Sequence, residues 1–159
     1  MQRVVVLGRG GAGKSTAAAR LGVILGLPVF ELDTYFWSPD LTPMTKQNWV
    51  DTQRLLAASE RWIMDGDLGP GDALGIRLAA ADTVLVLDFS LIRCLWRAAR
   101  RSRERADFWW WLVLWRLRSR TGLMDEIAGH AAATDVHVFR DPRALRRFFT
   151  DLSRGRRQP

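Results

Sequence analysis

Near the amino terminus four apolar residues, Val4-Val5-Val6-Leu7, run directly into Gly8-Arg9-Gly10-Gly11-Ala12-Gly13-Lys14-Ser15-Thr16. No other stretch limits the possible folds so tightly. A short unbroken apolar run suits a strand covered on both faces, as in a parallel sheet. Residues 14–25 then read as a helix that stops at Gly26, with Pro28 close behind. Between strand and helix, the glycines forgo side-chain packing and lose the most backbone entropy on folding. Such a segment makes sense only where something must approach the backbone closely. Gly8 to Ser15 fits G-x-x-x-x-G-K-[ST], in which backbone N–H groups and a helix N-terminus cradle phosphate oxygens. Gly8, Gly10, Gly11, Ala12, Gly13, Lys14, Ser15 and Thr16 are then the candidate anion-binding residues. Lys14 would reach the β- and γ-phosphates, and the Ser15 hydroxyl would serve magnesium.

The rest of the chain alternates. Apolar runs at residues 29–32, 61–64, 83–87 and 136–139 read as further strands. Helical patterns cover residues 49–59, a short stretch ending at Ala81, 91–105, 109–120 and 142–152. This predicts an α/β fold with a five-stranded, mainly parallel sheet flanked by helices. At 159 residues, 48% hydrophobic and 26% charged, the chain suits one globular domain, expected over 1–153 with a basic, disordered tail at 154–159. The single cysteine, Cys94, excludes an intramolecular disulfide and a cysteine-based zinc site. With no signal-peptide pattern and no apolar run beyond 108–115, a cytoplasmic protein without a transmembrane segment is expected.

Net charge is +7, but residues 1–92 carry −2 and residues 93–159 carry +9. The basic half suits phosphate-bearing partners, although no nucleic-acid-recognition motif accompanies it. A compositional bias toward arginine accounts for it equally well, since 22 of the 24 basic residues are Arg. That bias makes Lys14 stand out, where phosphate chemistry calls for a compact, flexible ammonium. The Trp-rich run at 108–115 suits either burial against the basic helix before it, a dimer interface, or contact with a membrane surface.

Asp33, Asp65 and Asp88 each fall at or just after the carboxyl end of a predicted strand, the edge at which the glycine loop also leaves its strand. Ligands of open parallel sheets bind at that edge. Asp65 is the candidate metal-side acid beside Ser15, with Asp88 as a supporting acid or a turn residue. Asp33 suits a base for an acceptor hydroxyl, or the N-cap of the next segment. Tyr35, Phe36 and Trp37 suit either an acceptor wall or the core. Arg93, Arg97 and Arg101 share one helix face by spacing, either to stabilise charge on a transferring phosphoryl group or as a solvated basic stripe. Arg100 to Asp107 reads as part of a short mobile lid, at about 98–108, that excludes water on closing. His130 and His137 lack metal-site spacing and read as structural.

Six segments carry a family resemblance: VVVLGRGGAGKST, LGLPVFELDTYFW, RWIMDGDL, RLAAADTVLVLDF, IRCLWRAARRSR and HVFRDPRALRRFF. Together they resemble the adenylate-kinase-like P-loop kinases, and within them the small subgroup called DNA topology modulation proteins. The resemblance implies a P-loop NTPase fold of the nucleoside-monophosphate-kinase type with a short lid. It implies ATP with Mg2+ and phosphoryl transfer to a small hydroxyl or phosphate acceptor. It further implies that Arg97 and Arg101 contact the ATP phosphates, that backbone from Arg140 to Pro142 lies beside adenine, and that Arg77 is the recurrent arginine ahead of the fourth strand, a candidate substrate contact. One departure matters. Asp65-Gly66 is followed by Asp67-Leu68-Gly69, with no arginine to hold an AMP phosphate, and Asp67 stands where the subgroup carries Asn. Asp33 and Asp67 together suit an uncharged hydroxyl acceptor. The competing expectation is a nucleotide-binding regulator with little transfer activity, whose basic half meets nucleic acid.

Overall fold

The computed structural model describes residues 1–68, 72–101, 120–130 and 134–155. Five strands form one sheet: β1 (Arg3–Gly8), β2 (Val29–Glu31), β3 (Trp62–Asp65), β4 (Thr83–Leu87) and β5 (Asp135–Phe139). Their order is β2-β3-β1-β4-β5, and every pairing is parallel. The central place of β1 explains its unbroken apolar sequence. Successive side chains of a strand point to opposite faces, so a strand with cover on both sides has no solvent face to offer. Val4 and Val6 enter one core and Val5 and Leu7 the other, all four fully buried.

Helices supply the cover. On the first face lie Ala17, Ala18, Leu21 and Leu25 of α1 (Lys14–Leu25), then Cys94 of α5 (Leu91–Arg101), and Leu145 and Phe149 of the last helix, α7 (Pro142–Gly155). On the second lie Leu32 of α2 (Leu32–Phe36), Trp49 of α3 (Lys46–Ala57), Leu74 and Leu78 of α4 (Leu74–Ala80), and Leu123 and Ile127 of α6 (Arg120–His130). Each fully buried aliphatic or aromatic side chain contributes about 1.5–3 kcal/mol of transfer free energy. The two cores therefore hold the sheet between them.

The five expected strands are all present, with ends shifted by a residue or so. Four readings need correction. The second strand stops at Glu31, and Leu32 opens the short helix α2, because Leu32 must turn into the second core. Helix α3 begins at Lys46, three residues before the expected start, since the Thr45 side chain caps it by accepting from the Asn48 N–H at 3.3 Å. Helix α6 lies outside the expected helical stretches; its buried face rests on Leu123 and Ile127, with Met124 packed beside them. The final helix extends to Gly155, taking in the first two residues of the expected tail. The lid beyond Arg101, the Trp-rich run 108–115 and residues 156–159 lie outside the described residues. Among the described residues, no helix is long and apolar enough to cross a membrane.

At the amino-terminal edge of the sheet, Asp82 joins three strands. Its carboxylate accepts from the N–H groups of Gln2 at 2.6 Å and Arg3 at 3.0 Å, and from the Thr83 hydroxyl at 2.7 Å. Its backbone pairs with Arg3 and with Asp135. Partial burial pushes this carboxyl up, but the Thr83, Gln2 and Arg3 hydrogen bonds and the amino terminus outweigh it. The group is held below the ordinary carboxylate value. A depressed folded pKa gives stability that is present at neutral pH and lost as pH falls through the folded value. Asp82→Asn should therefore lower stability by about 1 kcal/mol at pH 7, less than the roughly 1.5–3 kcal/mol of a buried charge-assisted bond, because solvent screens a carboxylate whose side chain is 39% exposed. Urea melts across pH should show the two proteins converging below the ordinary carboxylate range.

Candidate active site

The register of the strands assembles the site. Val6 lies level with Asp65, Asp65 with Glu31, Gly8 with Leu87, and Leu87 with Phe139. The glycine loop, Asp65, Asp88 and Arg140 thus leave the sheet at one edge, as the sequence led one to expect.

In the loop, Gly13 stands at the N-cap of α1 in the left-handed conformation, φ 92°, and offers no side-chain acceptor. The first-turn N–H groups of α1 are therefore left without a side-chain cap, the condition that makes a helix start a ready anion site. A side chain at Gly13 would also strike Arg97, whose Nη2 lies 2.9 Å from where a Cβ would be. At Gly11, φ 73°, a Cβ would sit 2.5 Å from the Cys94 carbonyl oxygen. Helix α5 thus packs on the loop at backbone distance and lays the Arg97 guanidinium across it. Arg9, inside the loop, is buried.

Asp65 is 4% exposed, and the Ser15 hydroxyl of the loop acts on its carboxyl, favouring the ionised form. Its Oδ1 is buried without a hydrogen-bond partner. Burial pushes the Asp65 carboxyl above its ordinary value, opposed by the Ser15 hydroxyl and Lys14 and reinforced by Asp33 and Glu31. A buried carboxylate oxygen with no donor, beside a hydroxyl and above an anion loop, fits a divalent cation shared with phosphate oxygens. Among the described residues no group of three or more His, Cys, Asp or Glu could hold a metal by itself. Mg2+ suits that scarcity, since it takes one or two protein oxygens and draws the rest from phosphates and water.

Asp33 sits in the first turn of α2, with Glu31 at the N-cap position, so it does not cap that helix. It is open to solvent, yet crowding by the surrounding protein raises its carboxyl above the ordinary value. Lys14 acts against that rise, while Glu31, Asp67 and Asp72 add to it. Phe36 packs edge-on against Trp49, 5.1 Å between centroids, and leans on the second core. Trp37 is 42% exposed beside it. Arg77 is fully buried and ion-paired with Asp72 at 2.6 Å, so its guanidinium faces no solvent. Asp88 begins just beyond β4 and donates its N–H to the Phe139 carbonyl. The influence of the Ser15 hydroxyl falls on Asp65. Arg140 is exposed at the end of β5. The side chain of Arg101 lies outside the described residues.

On the far side of the loop from these carboxylates is a cleft of about 240 Å³, running from Gly13 and Thr16 along α1. Arg20, Arg93, Arg97 and Arg146 line it, with Phe89, Pro142 and Phe149 as apolar walls. Arg20 stacks over Phe149, 5.0 Å from the ring centre. Sequence reasoning missed Arg20 and Arg146. The available signal was the basic start of α7, just beyond a strand end on the same edge.

No family model matches the chain, and a search of curated proteins finds no match. Its likeness is to solved structures. Shikimate kinase from Acinetobacter baumannii in complex with shikimate superposes with a TM-score of 0.64 at 14% identity, covering 96% of this chain and 90% of that one. A gluconokinase from Sinorhizobium meliloti 1021 gives 0.58 at 17% identity, covering 96% and 92%. Deoxyadenosine kinase from M. mycoides with bound dATP gives 0.55 at 15% identity, covering 93% and 97%. The fold is that of the P-loop kinases: a five-stranded parallel sheet with flanking helices.

Asp65→Asn separates stability from ligand binding. A carboxyl raised in the folded state binds its proton more tightly there, so its ionised form costs stability at neutral pH, a cost relieved as pH falls. The ligand-free variant should melt at a higher temperature than the parent at pH 7, with the difference shrinking toward acid. Its gain in nucleotide affinity on adding Mg2+ should fall roughly 10- to 100-fold. Thermal melts across pH and calorimetric titrations with and without Mg2+ read both.

Proposed function

We propose that the protein is a P-loop kinase that moves the γ-phosphoryl group of ATP to a hydroxyl of a small, uncharged acceptor. The observation that carries this reading is the buried strand-end carboxylate of Asp65, whose Oδ1 has no hydrogen-bond partner and on which Ser15 and Lys14 of the phosphate loop both act. The kinase folds of the structural neighbours support it at the level of architecture.

In this reading the loop from Gly8 to Thr16 holds the triphosphate, and Lys14 bridges its β- and γ-phosphates. Ser15 and Asp65 hold Mg2+, which when bound neutralises phosphate charge. Asp33 accepts the acceptor's hydroxyl proton as the new P–O bond forms and the bond to the β-phosphate oxygen breaks. A carboxyl raised above its ordinary value suits that task, because a better base is nearer in pKa to the working pH. Arg97 and Arg101 stabilise charge on the transferring group. The cleft beyond Gly13, with Pro142 in its wall, takes the nucleoside.

The acceptor side argues against a phosphate-bearing substrate. Glu31, Asp33 and Asp67 share that side, and Arg77 is sealed beneath it by Asp72. A phosphomonoester would meet like charge there. Trp37, exposed beside Phe36, offers an apolar face for a sugar ring or nucleoside.

The test uses ATP labelled at the γ-phosphate, Mg2+, and a panel of polyols, sugars and nucleosides beside their phosphorylated forms. Label should move to an unphosphorylated acceptor and not to its phosphate ester. Lys14→Ala should abolish transfer with an unchanged melting temperature. Asp33→Asn should lose transfer, on the order of 100-fold or more, and keep ATP binding. Transfer by the parent should decline as pH drops through the raised Asp33 value. ATP binding with no transfer to any panel member would favour the regulator alternative.

A further inference from the structure

Arg77, a candidate substrate contact by the family resemblance, is fully buried and paired with Asp72. What it does touch is informative. Its Nη2 donates to the Gly66 carbonyl at 2.9 Å and to Asp72 Oδ2 at 2.6 Å, while Nη1 donates to Gln53 Oε1 at 3.1 Å. Asp72 Oδ1 also accepts from Trp49 Nε1 at 3.1 Å and Gln53 Nε2 at 2.9 Å. Trp49, Gln53 and Arg77 have no exposure, and the Asp72 side chain has 5%. Burying an ion pair costs several kcal/mol per ion before mutual attraction repays it, and apolar residues often replace such pairs without loss. Stability alone is therefore a poor reason for this pair. A planar guanidinium can do what apolar packing cannot: hold a backbone carbonyl, a carboxylate and an amide oxygen at once, in fixed directions.

The carbonyl it holds is the one between Asp65 and Asp67. Gly66 also lies close under α2, where an added Cβ would stand 3.0 Å from the Leu32 Cβ, so no side chain fits there without a shift. The peptide after the β3 strand end is thus fixed between α2 and the Arg77 fork, and with it the approach of Asp65 to Ser15.

We propose that Arg77 is a positioning residue: by holding the Gly66 carbonyl it keeps the Asp65 carboxylate aligned with Ser15 for the metal that accompanies the nucleotide. The proposal rests on the kinase reading above. Outer-shell partners of this kind are worth about 10- to 100-fold in metal affinity.

The test compares Arg77→Lys with Gln53→Leu. A lysine keeps the charge for Asp72 but has no fork with which to hold Gly66. Gln53→Leu weakens the same network and leaves the Gly66 contact in place. Both should lower the melting temperature. ATP binding is then titrated calorimetrically with and without Mg2+. In Arg77→Lys the Mg2+-dependent gain in ATP affinity should fall about tenfold, with metal-free affinity within about twofold of the parent. Gln53→Leu should keep the full gain. Should Arg77→Lys not fold, the double variant Arg77→Met/Asp72→Asn removes both buried charges, and the same loss of gain is expected. The proposal is overturned if the Arg77 variant keeps the gain, or if Gln53→Leu loses as much of it. A parent protein that binds ATP but gains nothing from Mg2+ overturns it too. A parent that binds no ATP under either condition instead overturns the kinase reading, and the positioning role falls with it.

Discussion

The approach of α5 to the glycine loop at backbone distance is the constraint on which the site depends. With the Cys94 carbonyl against Gly11 and the Arg97 guanidinium against Gly13, neither position leaves room for a side chain. Loop and helix behave as one body, anchored below by Cys94 in the first core. The consequence is electrostatic. The main-chain contact at Gly11 brings the helix that carries Arg93 and Arg97 against the loop, and the Arg97 guanidinium lies at Gly13 in the ligand-free protein. Preplaced charge requires no reorganisation at the moment of reaction, which is where most of its catalytic value lies.

The loop also divides the charge of the site. Carboxylates gather on the β2–β3 side, where Glu31, Asp33, Asp65 and Asp67 act on one another. Guanidinium groups gather on the α1–α5–α7 side around the cleft. Lys14 lies between and is felt by both: it pulls down Asp33 and Asp65 and also acts on the Cys94 thiol, which burial pushes up. A polyanion entering this crevice finds attraction on one side only and is oriented by the field as well as by the loop.

What could be read from the sequence was whatever is encoded locally. The strands were legible because both-face burial demands continuous apolar residues, as in VVVL and TVLVL. Lys14 and Ser15 were legible because their loop has a fixed spacing, and Asp65 because strand ends in a parallel sheet share one edge. Helix α2 escaped because LDTYF holds aromatic and β-turn residues and is helical only through the burial of Leu32. Helix α6 escaped because it carries Gly122 and Gly129 and buries only two apolar side chains, Leu123 and Ile127, four apart. The Arg77 network lay beyond reach for a different reason. Its partners come from α3, 24 residues away, and from a loop whose course no periodicity reveals. Arg20 and Arg146 likewise meet across the cleft only once α1 and α7 are packed on the same face.

The two edges of the sheet treat the same residue type in opposite ways, and the difference locates function. At the amino-terminal edge, strand starts present free N–H groups, and Asp82 collects two of them and is held below its ordinary value. At the carboxyl edge, strand ends present carbonyls, and N–H donors are concentrated in the loop and the start of α1. A carboxylate placed there cannot be satisfied by the sheet, so Asp65 is left with a buried oxygen that lacks a donor. The folded chain tolerates that cost with an interior otherwise well packed on both faces. A structural acid would have been better placed at the other edge, as Asp82 is. An acid kept at the unfavourable edge, under the influence of the loop's serine and lysine, has the character that the proposed cation site requires.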